Sequence, residues 1–523
     1  MSRVRGGANT TEIRVGSKTR KVSCYVGRID ILIPLEKKAM MRIQKRISSE
    51  TQVIGDESYL GSVKNLINIP ITEISKEIGG KIYANIVAVG IVIGMLDGDL
   101  ELAKDYLKTY FSNKNQKVIE NNIKALQKGY DEGKSVVKTG DISIKLERDD
   151  GVKDDVLING AESVSLGAVA GGCNFISSYP MSPSTAVLVS LSQKSKVFDI
   201  VSEQAEDEIA AINMAIGAWY AGARAMITTS GGGFALMGEG LSLSGITETP
   251  VVLHIAQRPG PATGLPTRTE QGDLNLVLYG GHGAFPRIIF APGTIKDGFE
   301  IGRLAFDLAD KYQVPVFILT DQYYVDSYYN IPGLDVEEIS IETHVVETNA
   351  GYKRYAITKS GISPRGIPGF GKGFVRVDSD EHDENGNITE DFKTRIQQVD
   401  KRMRKLDAFY DEMLEPSFSG EESYNTLVIG WGTTYHPIRE ALAILSDSSI
   451  AHLHFTQVYP LHPKANAYIE KAKNVVVVEN NVVGQFANLL SLELEVKITE
   501  RILKYSGEPF SVEELVSRFK EVL

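Results

Sequence analysis

The sequence predicts an α/β protein whose main unit is a parallel sheet with helices on its faces. Three observations predict it. Short apolar runs alternate with helical patterns between residues 155 and 332, each run ends in a polar or Gly/Pro-rich turn, and a further α/β unit begins near residue 420. Because ligands of open α/β sheets bind at the carboxyl ends of the strands, these turns are where a functional site is expected.

Nine runs are the predicted strands of these two units. Those of the main unit are NFISSY, FDIVS, ARAMITTS, PVVLHIA, RIIFAP and VPVFILT. Those of the last unit are TLVIGWG, HLHFTQVYPL and NVVVVENN. Their alternation with helical segments favours parallel pairing.

The chain divides into four predicted segments: a first unit over 1–135, the main unit over 155–332, a charged connector over 333–415, and the last unit over 420–523. In the first unit, TTEIRVG and RIDILIPL are predicted strands and YDEGKSVVKTGD a linker. Helices are predicted over 82–96 (buried), 100–111, 118–128 and, at the end of the connector, 392–413.

The composition of the chain excludes several classes of function. The 523 residues are 42% hydrophobic and 24% charged, as in globular proteins, and the formal net charge of -11 disfavours nucleic acid or an anionic membrane as partner. The two cysteines, Cys24 and Cys173, form no CxxC pair, so this chain alone offers no iron–sulfur or Cys-rich zinc site. The two distant cysteines fit a reducing cytoplasm, and we expect no membrane span, since no run of about 18 apolar residues is present.

The segment over 203–233 predicts an amphipathic helix packed on the sheet, because Ile209, Ile212 and Ile216 recur at helical spacing. An acidic cluster precedes it. Acidic side chains at a helix start complement the helix dipole, and this is the interpretation we favour for Glu206 and Asp207.

Glu208 is different, because it heads a helix of small residues that is followed by another strand. This arrangement resembles the pyrimidine-binding domain of thiamine diphosphate enzymes. The resemblance implies that Glu208 bonds the aminopyrimidine ring and promotes formation of the reactive carbanion of the cofactor.

Two further turns carry polar or glycine-rich motifs. TTSGGGFALMGEG, over 228–240, is compatible with a phosphate-binding loop, but no P-loop lysine or dinucleotide-type acid follows. We favour close approach of its backbone to a cofactor ring or a partner subunit. HIAQRPGPATGLPTRTEQGD, over 254–273, is either a polar surface loop or a carboxylate-binding loop. An arginine leaving a parallel strand, here Arg258, can hold a carboxylate in bidentate fashion, whereas His254 is predicted to be a core histidine.

Six stretches together resemble the alpha subunit of 2-oxoacid:ferredoxin oxidoreductases, in the form with a gamma domain fused ahead of the alpha domain. SRVRGGANTTEIRV is similar to the gamma domain, YPMSPST to the family's YPITPS signature, and TTSGGGFALM and RPGPATGLPTRTEQGDL to two further signatures. GISPRGIPG and IGWGTTYHPI are similar to the connector and to a transketolase-C-like last domain. Their shared order along the chain is a specific signal.

The resemblance implies CoA-dependent oxidative decarboxylation of a 2-oxoacid, with electrons passed to ferredoxin. A partner beta subunit would carry Mg²⁺, the diphosphate end of the cofactor and a [4Fe–4S] cluster. On this chain Glu208 would activate the cofactor and Arg258 would bind the substrate carboxylate. The implied lining of the substrate and cofactor pocket comprises Tyr179, Pro180, Met181, Ser182, Pro183, Thr263, Thr267 and Arg268.

Two departures from the family pattern are present. Met181 and Ser182 stand where the family has Ile-Thr, so the hydroxyl is kept without the methyl that restricts its rotamer. The first unit also lacks the Gly-rich βα unit with which the gamma domain opens, which implies a partial domain. Two alternatives remain: a non-oxidative, transketolase-like carboligase subunit, and a non-catalytic assembly subunit. The RPGPATGLPTR and gamma-type segments argue against the first, and Glu208 with Arg258 against the second.

Overall fold

The computed structural model describes residues 9–16, 22–61, 63–139, 147, 149–336 and 339–522. Its described residues form two compact units. One consists of residues 9–15 and 26–153, and the other of residues 16, 22–25 and 154–522. The Arg-Gly-Gly segment of the family resemblance lies outside the described residues. The division into four segments stays a prediction.

The smaller unit contains a three-stranded parallel sheet in the order β1-β2-β3 and a set of helices. Its strands and helices are β1 (Ile31–Leu32), α1 (Lys37–Ile43), β2 (Gln52–Gly55), α2 (Glu57–Leu60), β3 (Leu66–Asn68), α3 (Ile71–Ile78), α4 (Ala84–Met95), α5 (Leu100–Tyr110) and α6 (Gln116–Thr139). Helices α4 and α6 pack at glycines. A Cβ on Gly90 would lie 2.3 Å from the Leu126 carbonyl oxygen, and one on Gly129 would lie 2.1 Å from that of Val87.

Two predictions for this unit are wrong. YDEGKSVVKTGD is not a linker, because α6 continues through it to Thr139, with Val136 buried in the core and Gly133 against α4. TTEIRVG is not a strand, and its Glu12 instead pairs with Arg46 at 2.6 Å. The buried helix predicted over 82–96 is confirmed by α4. Over the described part of the chain, no single helix has the length and apolar character needed to cross a membrane, and one pair, α3 with 81–95, meets that test only jointly and is bent by 118°.

The larger unit is built on a seven-stranded sheet. Its elements up to the connector are β4 (Val156–Asn159), α7 (Gly160–Ala170), β5 (Phe175–Ser178), α8 (Thr185–Phe198), β6 (Val201–Gln204), α9 (Glu208–Tyr220), β7 (Ala225–Thr229), α10 (Gly231–Phe234), α11 (Gly238–Thr247), β8 (Val251–Gln257), α12 (Leu274–Tyr279), β9 (Ile288–Phe290), α13 (Ile295–Tyr312), β10 (Pro315–Asp321), α14 (Gln322–Asp326) and β11 (Tyr328–Ile331). Strands β7, β8 and β10 are buried along their whole length. The six predicted strands are confirmed, although FDIVS is displaced because Phe198 belongs to α8.

The remaining elements form the connector and a five-stranded sheet in the order β12-β14-β13-β16-β17. They are α15 (Phe392–Met403), α16 (Lys405–Phe409), β12 (Ser417–Ser419), β13 (Thr426–Trp431), α17 (Tyr435–Leu445), β14 (Ile450–Phe455), β15 (Gln457–Tyr459), α18 (Lys464–Lys471), β16 (Asn474–Glu479), α19 (Gln485–Glu493), β17 (Glu500–Leu503) and α20 (Val512–Val522). HLHFTQVYPL contains two strands, and the second, β15, pairs antiparallel with β9 of the other sheet. The helix predicted over 392–413 is interrupted at Arg404.

Buried ion pairs hold the connector to the main sheet. Glu248, in a left-handed conformation after α11, contacts Lys401 and Lys405 of the connector helices at 2.6 Å each. Asp310 of α13 is shared in the same way by Arg224 and Arg365. An irregular segment thus gains fixed attachment points that its sequence of glycines and prolines does not provide.

Candidate functional site

The carboxyl ends of the central strands carry a connected set of polar side chains. His254 of β8 is fully buried, and its ring nitrogens lie 2.7 Å from Thr228 Oγ1 of β7 and 2.8 Å from Thr320 Oγ1 of β10. Burial lowers the pKa of His254 to about 3, so the ring is neutral. Its predicted role as a core histidine is confirmed. The set fixes the ends of three neighbouring strands.

Glu208 is the first residue of α9 and is 4% exposed. Asp207 caps the helix, since its Oδ1 accepts a hydrogen bond from the Ala210 backbone N–H at 2.7 Å. Glu208 takes no part in capping, and its Oε1 is buried without a hydrogen-bond partner among the described residues. Helix α9 packs as predicted through Ile212 and Ile216, but Ile209 is 52% exposed because it faces away from the sheet. A buried acid with one oxygen that lacks a hydrogen-bond partner is therefore presented at the end of the sheet.

The glycine turn after β7 lies directly against this acid. A Cβ on Gly233 would be 2.2 Å from Thr229 Oγ1 and 2.7 Å from Glu208 Oε1. Residue 233 must therefore be glycine for the turn to pack this closely on Thr229 and Glu208. This observation favours close approach of a ligand ring to the backbone over a phosphate-binding role.

The stretch YPMSPST forms the turn between β5 and α8. It is tied to β7, because Thr228 donates its backbone N–H to Ser178 Oγ at 2.9 Å and its hydroxyl to the Ser184 carbonyl at 3.3 Å. The Ser182–Pro183 peptide bond is cis, and Tyr179 is 42% exposed. The turn is thus anchored in the core, while its outer residues remain accessible.

Arg258 leaves the end of β8 and donates through Nη1 to the carbonyl oxygen of Ser182. The arginine loop and the YPMSPST turn are therefore brought together, as the sequence predicts. Burial lowers the pKa of Arg258, and the nearby Asp273 opposes this effect. Its Nε is buried with no hydrogen-bond partner among the described residues.

The other predicted residues of this loop are less closely placed. Thr263 and Arg268 are exposed and Thr267 is half-buried. Arg268 packs against Gly507, where a built Cβ would lie 3.2 Å from Arg268 Cβ. Thr263 and Thr267 have no side-chain hydrogen bond within the described part of the chain. Their predicted roles, like those of the remaining pocket residues, are untested by this geometry.

Sequence reasoning missed one acid of this site, Asp273, at the end of the same loop. Its carboxylate lies against Gly231, so that a Cβ there would be 2.2 Å from Oδ1. Burial, together with the neighbouring carboxylate of Glu270, raises the pKa of Asp273 to about 7, and Arg258 acts in the opposite direction. The only signal in the sequence is its position in the TRTEQGD motif, four residues after the last threonine.

The last sheet braces this loop. Gln271 accepts a hydrogen bond from the Asn480 backbone N–H at 3.0 Å and donates through Nε2 to the Trp431 carbonyl oxygen at 2.9 Å. Thr269 donates its backbone N–H to Gly507 at 3.1 Å. The end of the loop that runs from Arg258 to Asp273 is therefore held by Trp431, Asn480 and Gly507 of the last unit.

An unpaired buried carboxylate oxygen beside a backbone that carries no Cβ fits the aminopyrimidine end of thiamine diphosphate. Glu208 would hold this group through Oε1, and the glycine turn is the neighbouring backbone that no side chain covers. Fold and site thus define the class of the protein as one with a thiamine diphosphate-binding, pyrimidine-type domain.

Comparison with known proteins agrees. Residues 166–401 match the family described as pyruvate flavodoxin/ferredoxin oxidoreductase, thiamine diphosphate-binding, and residues 1–132 match pyruvate ferredoxin/flavodoxin oxidoreductase. The chain belongs to the 2-oxoacid:ferredoxin oxidoreductase alpha subunits. It is 32% identical to subunit alpha of 2-oxoacid:ferredoxin oxidoreductase 1 of Sulfurisphaera tokodaii, over 95% of this chain and 82% of that one.

Two further relatives are informative. The 2-oxoglutarate synthase subunit KorA of Archaeoglobus fulgidus is 33% identical, over 62% of this chain and 88% of its own length. The solved 2-oxoglutarate:ferredoxin oxidoreductase of Magnetococcus marinus, with 2-oxoglutarate, coenzyme A and succinyl-CoA bound, superposes with a TM-score of 0.89 at 29% identity, covering 96% of this chain and 89% of that one. These relatives support the oxidoreductase over the carboligase and assembly-subunit alternatives.

Proposed function

We propose that this chain supplies the aminopyrimidine site and the substrate-carboxylate site of a CoA-dependent 2-oxoacid:ferredoxin oxidoreductase. The overall reaction converts a 2-oxoacid, CoA and two oxidised ferredoxins to an acyl-CoA, CO₂, two reduced ferredoxins and a proton. The observation that carries the proposal is the buried, unpaired Oε1 of Glu208 beside Gly233.

Thiamine diphosphate, when bound, supplies a carbon nucleophile and an electron sink that allow the bond to the departing CO₂ to break. Glu208 would hold the aminopyrimidine ring nitrogen and exchange a proton with it at Oε1. Its burial strengthens that hydrogen bond, because water does not compete for the oxygen. The glycine turn would contribute backbone to the same binding site.

Arg258 is the proposed ligand of the 2-oxoacid carboxylate. Its guanidinium already reaches the Ser182 carbonyl, so the substrate would be held between the arginine loop and the YPMSPST turn. Tyr179, Pro180, Met181 and Ser182 would line one wall of the pocket. Thr263 and Thr267 would line the other, and Arg268 is the outermost proposed contact.

A partner beta subunit is the proposed source of Mg²⁺, the diphosphate contacts and the [4Fe–4S] cluster. In the ranges that the structure describes, no group of three or more His, Cys, Asp or Glu side chains could hold a metal ion. Both cysteines are buried and far apart in sequence. Electrons leaving this site would therefore need redox centres from another chain before they reach ferredoxin.

The test is Glu208→Gln in the enzyme isolated with its partner subunit. We expect CoA-dependent reduction of a viologen dye by a 2-oxoacid to fall by about 10²–10⁴-fold, as expected for loss of a proton-transferring group. Assembly and thermal stability should be largely unchanged, since the substitution preserves the shape of the side chain.

Glu206→Gln is the matched control, because Glu206 is an exposed carboxylate two residues away. It should retain normal rates. Near-normal turnover of Glu208→Gln would overturn the assignment, and normal thiamine diphosphate affinity with lost turnover would restrict Glu208 to proton transfer.

A further inference from the structure

Two polar residues at the candidate site stand in helix-capping positions but do not cap. Ser230 precedes α10 and Asp273 precedes α12, and neither side chain makes a capping hydrogen bond to the helix that follows. Serine and aspartate before a helix normally make this bond, as Asp207 does before α9. The hydroxyl of Ser230 and the carboxyl of Asp273 are therefore not used for the local role that their positions predict.

Each of these side chains instead leaves a buried polar atom without a partner. Ser230 is fully buried, and no described residue hydrogen-bonds to its Oγ. Oδ2 of Asp273 is also buried and without a partner in the described ranges, although the Asp273 backbone N–H is fixed by Gln257 Oε1 at 3.0 Å. With Oε1 of Glu208, three such atoms from three segments lie at one site. Buried polar atoms are seldom left in this state, so the convergence points to a ligand with more than one polar atom.

The glycine turn, residues 231–233, lies between the two acids. The carboxyl of Asp273 lies flat against Gly231, since a Cβ built there would be 2.2 and 2.4 Å from its two oxygens. Glu208 lies against Gly233, where a Cβ would be 2.7 Å from Oε1. Gly232, between them, is exposed. Two acids with unpartnered oxygens thus adjoin opposite ends of a short backbone segment whose middle is open.

We propose that Asp273 is a second ligand of the aminopyrimidine ring and accepts, at Oδ2, a hydrogen bond from its exocyclic amino group. This inference rests on the proposed function, in which Glu208 holds a ring nitrogen. In the aminopyrimidine of thiamine diphosphate one ring nitrogen lies opposite the amino group, so two acids at opposite ends of one turn can hold opposite edges of the ring. An amino group donates and an ionised carboxylate only accepts. Asp273 therefore positions the ring, whereas Glu208 exchanges a proton with it.

The experiment replaces the amino group of the cofactor by oxygen. The complex with its partner subunit, freed of thiamine diphosphate, is titrated calorimetrically at pH 8 with thiamine diphosphate or with oxythiamine diphosphate, which carries an oxo group instead, each with Mg²⁺. Burial raises the pKa of Asp273 to about 7, so at pH 8 its carboxyl is mostly ionised. The wild-type complex should bind thiamine diphosphate about 10–100-fold more tightly, since the oxo group donates no hydrogen bond and leaves the carboxylate unpaired.

Asp273→Asn keeps the shape of the side chain and presents an amide N–H₂ that can donate to the oxo group. The preference for thiamine diphosphate should fall at least about tenfold, in part because the analogue binds more tightly than it does to the wild type. A gain in affinity does not result from a damaged fold. Glu270→Gln is the matched control, because it removes a half-buried carboxylate of the same loop, and it should keep the wild-type preference.

Equal affinity of the wild-type complex for the two ligands would overturn the inference without any variant. The wild-type preference retained in Asp273→Asn would overturn it as well. If Asp273→Asn does not assemble, Asp273→Ser, whose side chain is too short to replace the carboxyl, should bind the two ligands equally, and a retained preference would again contradict the assignment. Failure of the wild-type complex to bind either ligand would instead overturn the proposed function, so the two failures are distinguishable.

Discussion

Glu208 and Glu248 are both buried glutamates at helix ends of the same unit, yet their surroundings are opposite. Glu248 is 1% exposed and lies 2.6 Å from the ammonium groups of Lys401 and Lys405. Glu208 is 4% exposed and has an oxygen without a partner. Burial disfavours ionisation of Glu248, but Lys405, Lys401 and Arg354 outweigh it and hold its pKa well below the usual range.

The difference teaches how to separate structural from functional acids in this fold. A buried charge that serves the scaffold is paired, because an unpaired one is costly. A buried acid that has neither an ion pair nor a full set of hydrogen bonds is compatible with folding only if its cost is offset elsewhere, and it calls for an explanation such as a ligand. The ion pairs of Glu248 with Lys401 and Lys405 hold the connector. Glu208 and Asp273, each with one oxygen that lacks a hydrogen-bond partner, face the glycine turn.

The largest expected effect is on stability, from Glu248→Gln. This change leaves Lys401 and Lys405 buried without a counter-charge, and the free energy of unfolding should fall by about 3–5 kcal/mol. Glu415→Gln removes the exposed partner of Lys464 and should change the free energy of unfolding far less, because water screens this pair. Thermal and denaturant unfolding of both variants measure the difference. Equal, small losses in both would mean that the Glu248 cluster does not anchor the connector.

The second expected effect concerns Arg258, which belongs to the candidate functional site together with Glu208. Arg258→Ala should raise the KM for 2-oxoacid by roughly 10–100-fold, since a charged hydrogen bond is worth about 1.5–3 kcal/mol. The KM for CoA should change little. Steady-state kinetics with each substrate varied in turn would check this, and equal increases in both KM values would contradict the carboxylate-binding role.

The smallest effect tests the glycine turn itself. Gly233→Ala places a Cβ 2.2 Å from Thr229 Oγ1 and 2.7 Å from Glu208 Oε1. We expect a loss of about 1–3 kcal/mol of stability from overpacking and weaker binding of thiamine diphosphate. Gly217→Ala in α9 is the control, because its Cβ meets no atom within 4 Å; it should stabilise the helix by up to about 1 kcal/mol. Unimpaired cofactor affinity in Gly233→Ala would show that the ring does not approach this turn.

Much of the main sheet could be predicted from sequence, because buried parallel strands are short apolar runs with clear ends. The limits of α6 could not, since the polar appearance of 130–141 conceals a helix face that packs on α4 through Gly133 and Val136. Local composition does not reveal which weakly apolar positions meet a neighbouring helix.

The candidate site, like the fold, could be predicted from the sequence only in part. Glu208 and Arg258 could be selected because motif and position coincide at strand ends. Asp273 could not, since its contact with Gly231 depends on how the intervening loop folds back and on its bracing by Gln271. The outward side of Ile209 was likewise undetermined by spacing alone, because several faces of α9 carry apolar residues.

The pairing of β15 with β9 has a consequence for how the chain is made. Strand β9 is complete by Phe290, but the strand that covers its outer edge begins only at Gln457. During synthesis the edge of the main sheet therefore stays open while the connector and most of the last sheet leave the ribosome. Open sheet edges are templates for wrong pairing between chains. The order of the strands along the chain thus leaves one edge of the main sheet open to wrong pairing until Gln457 to Tyr459 are made.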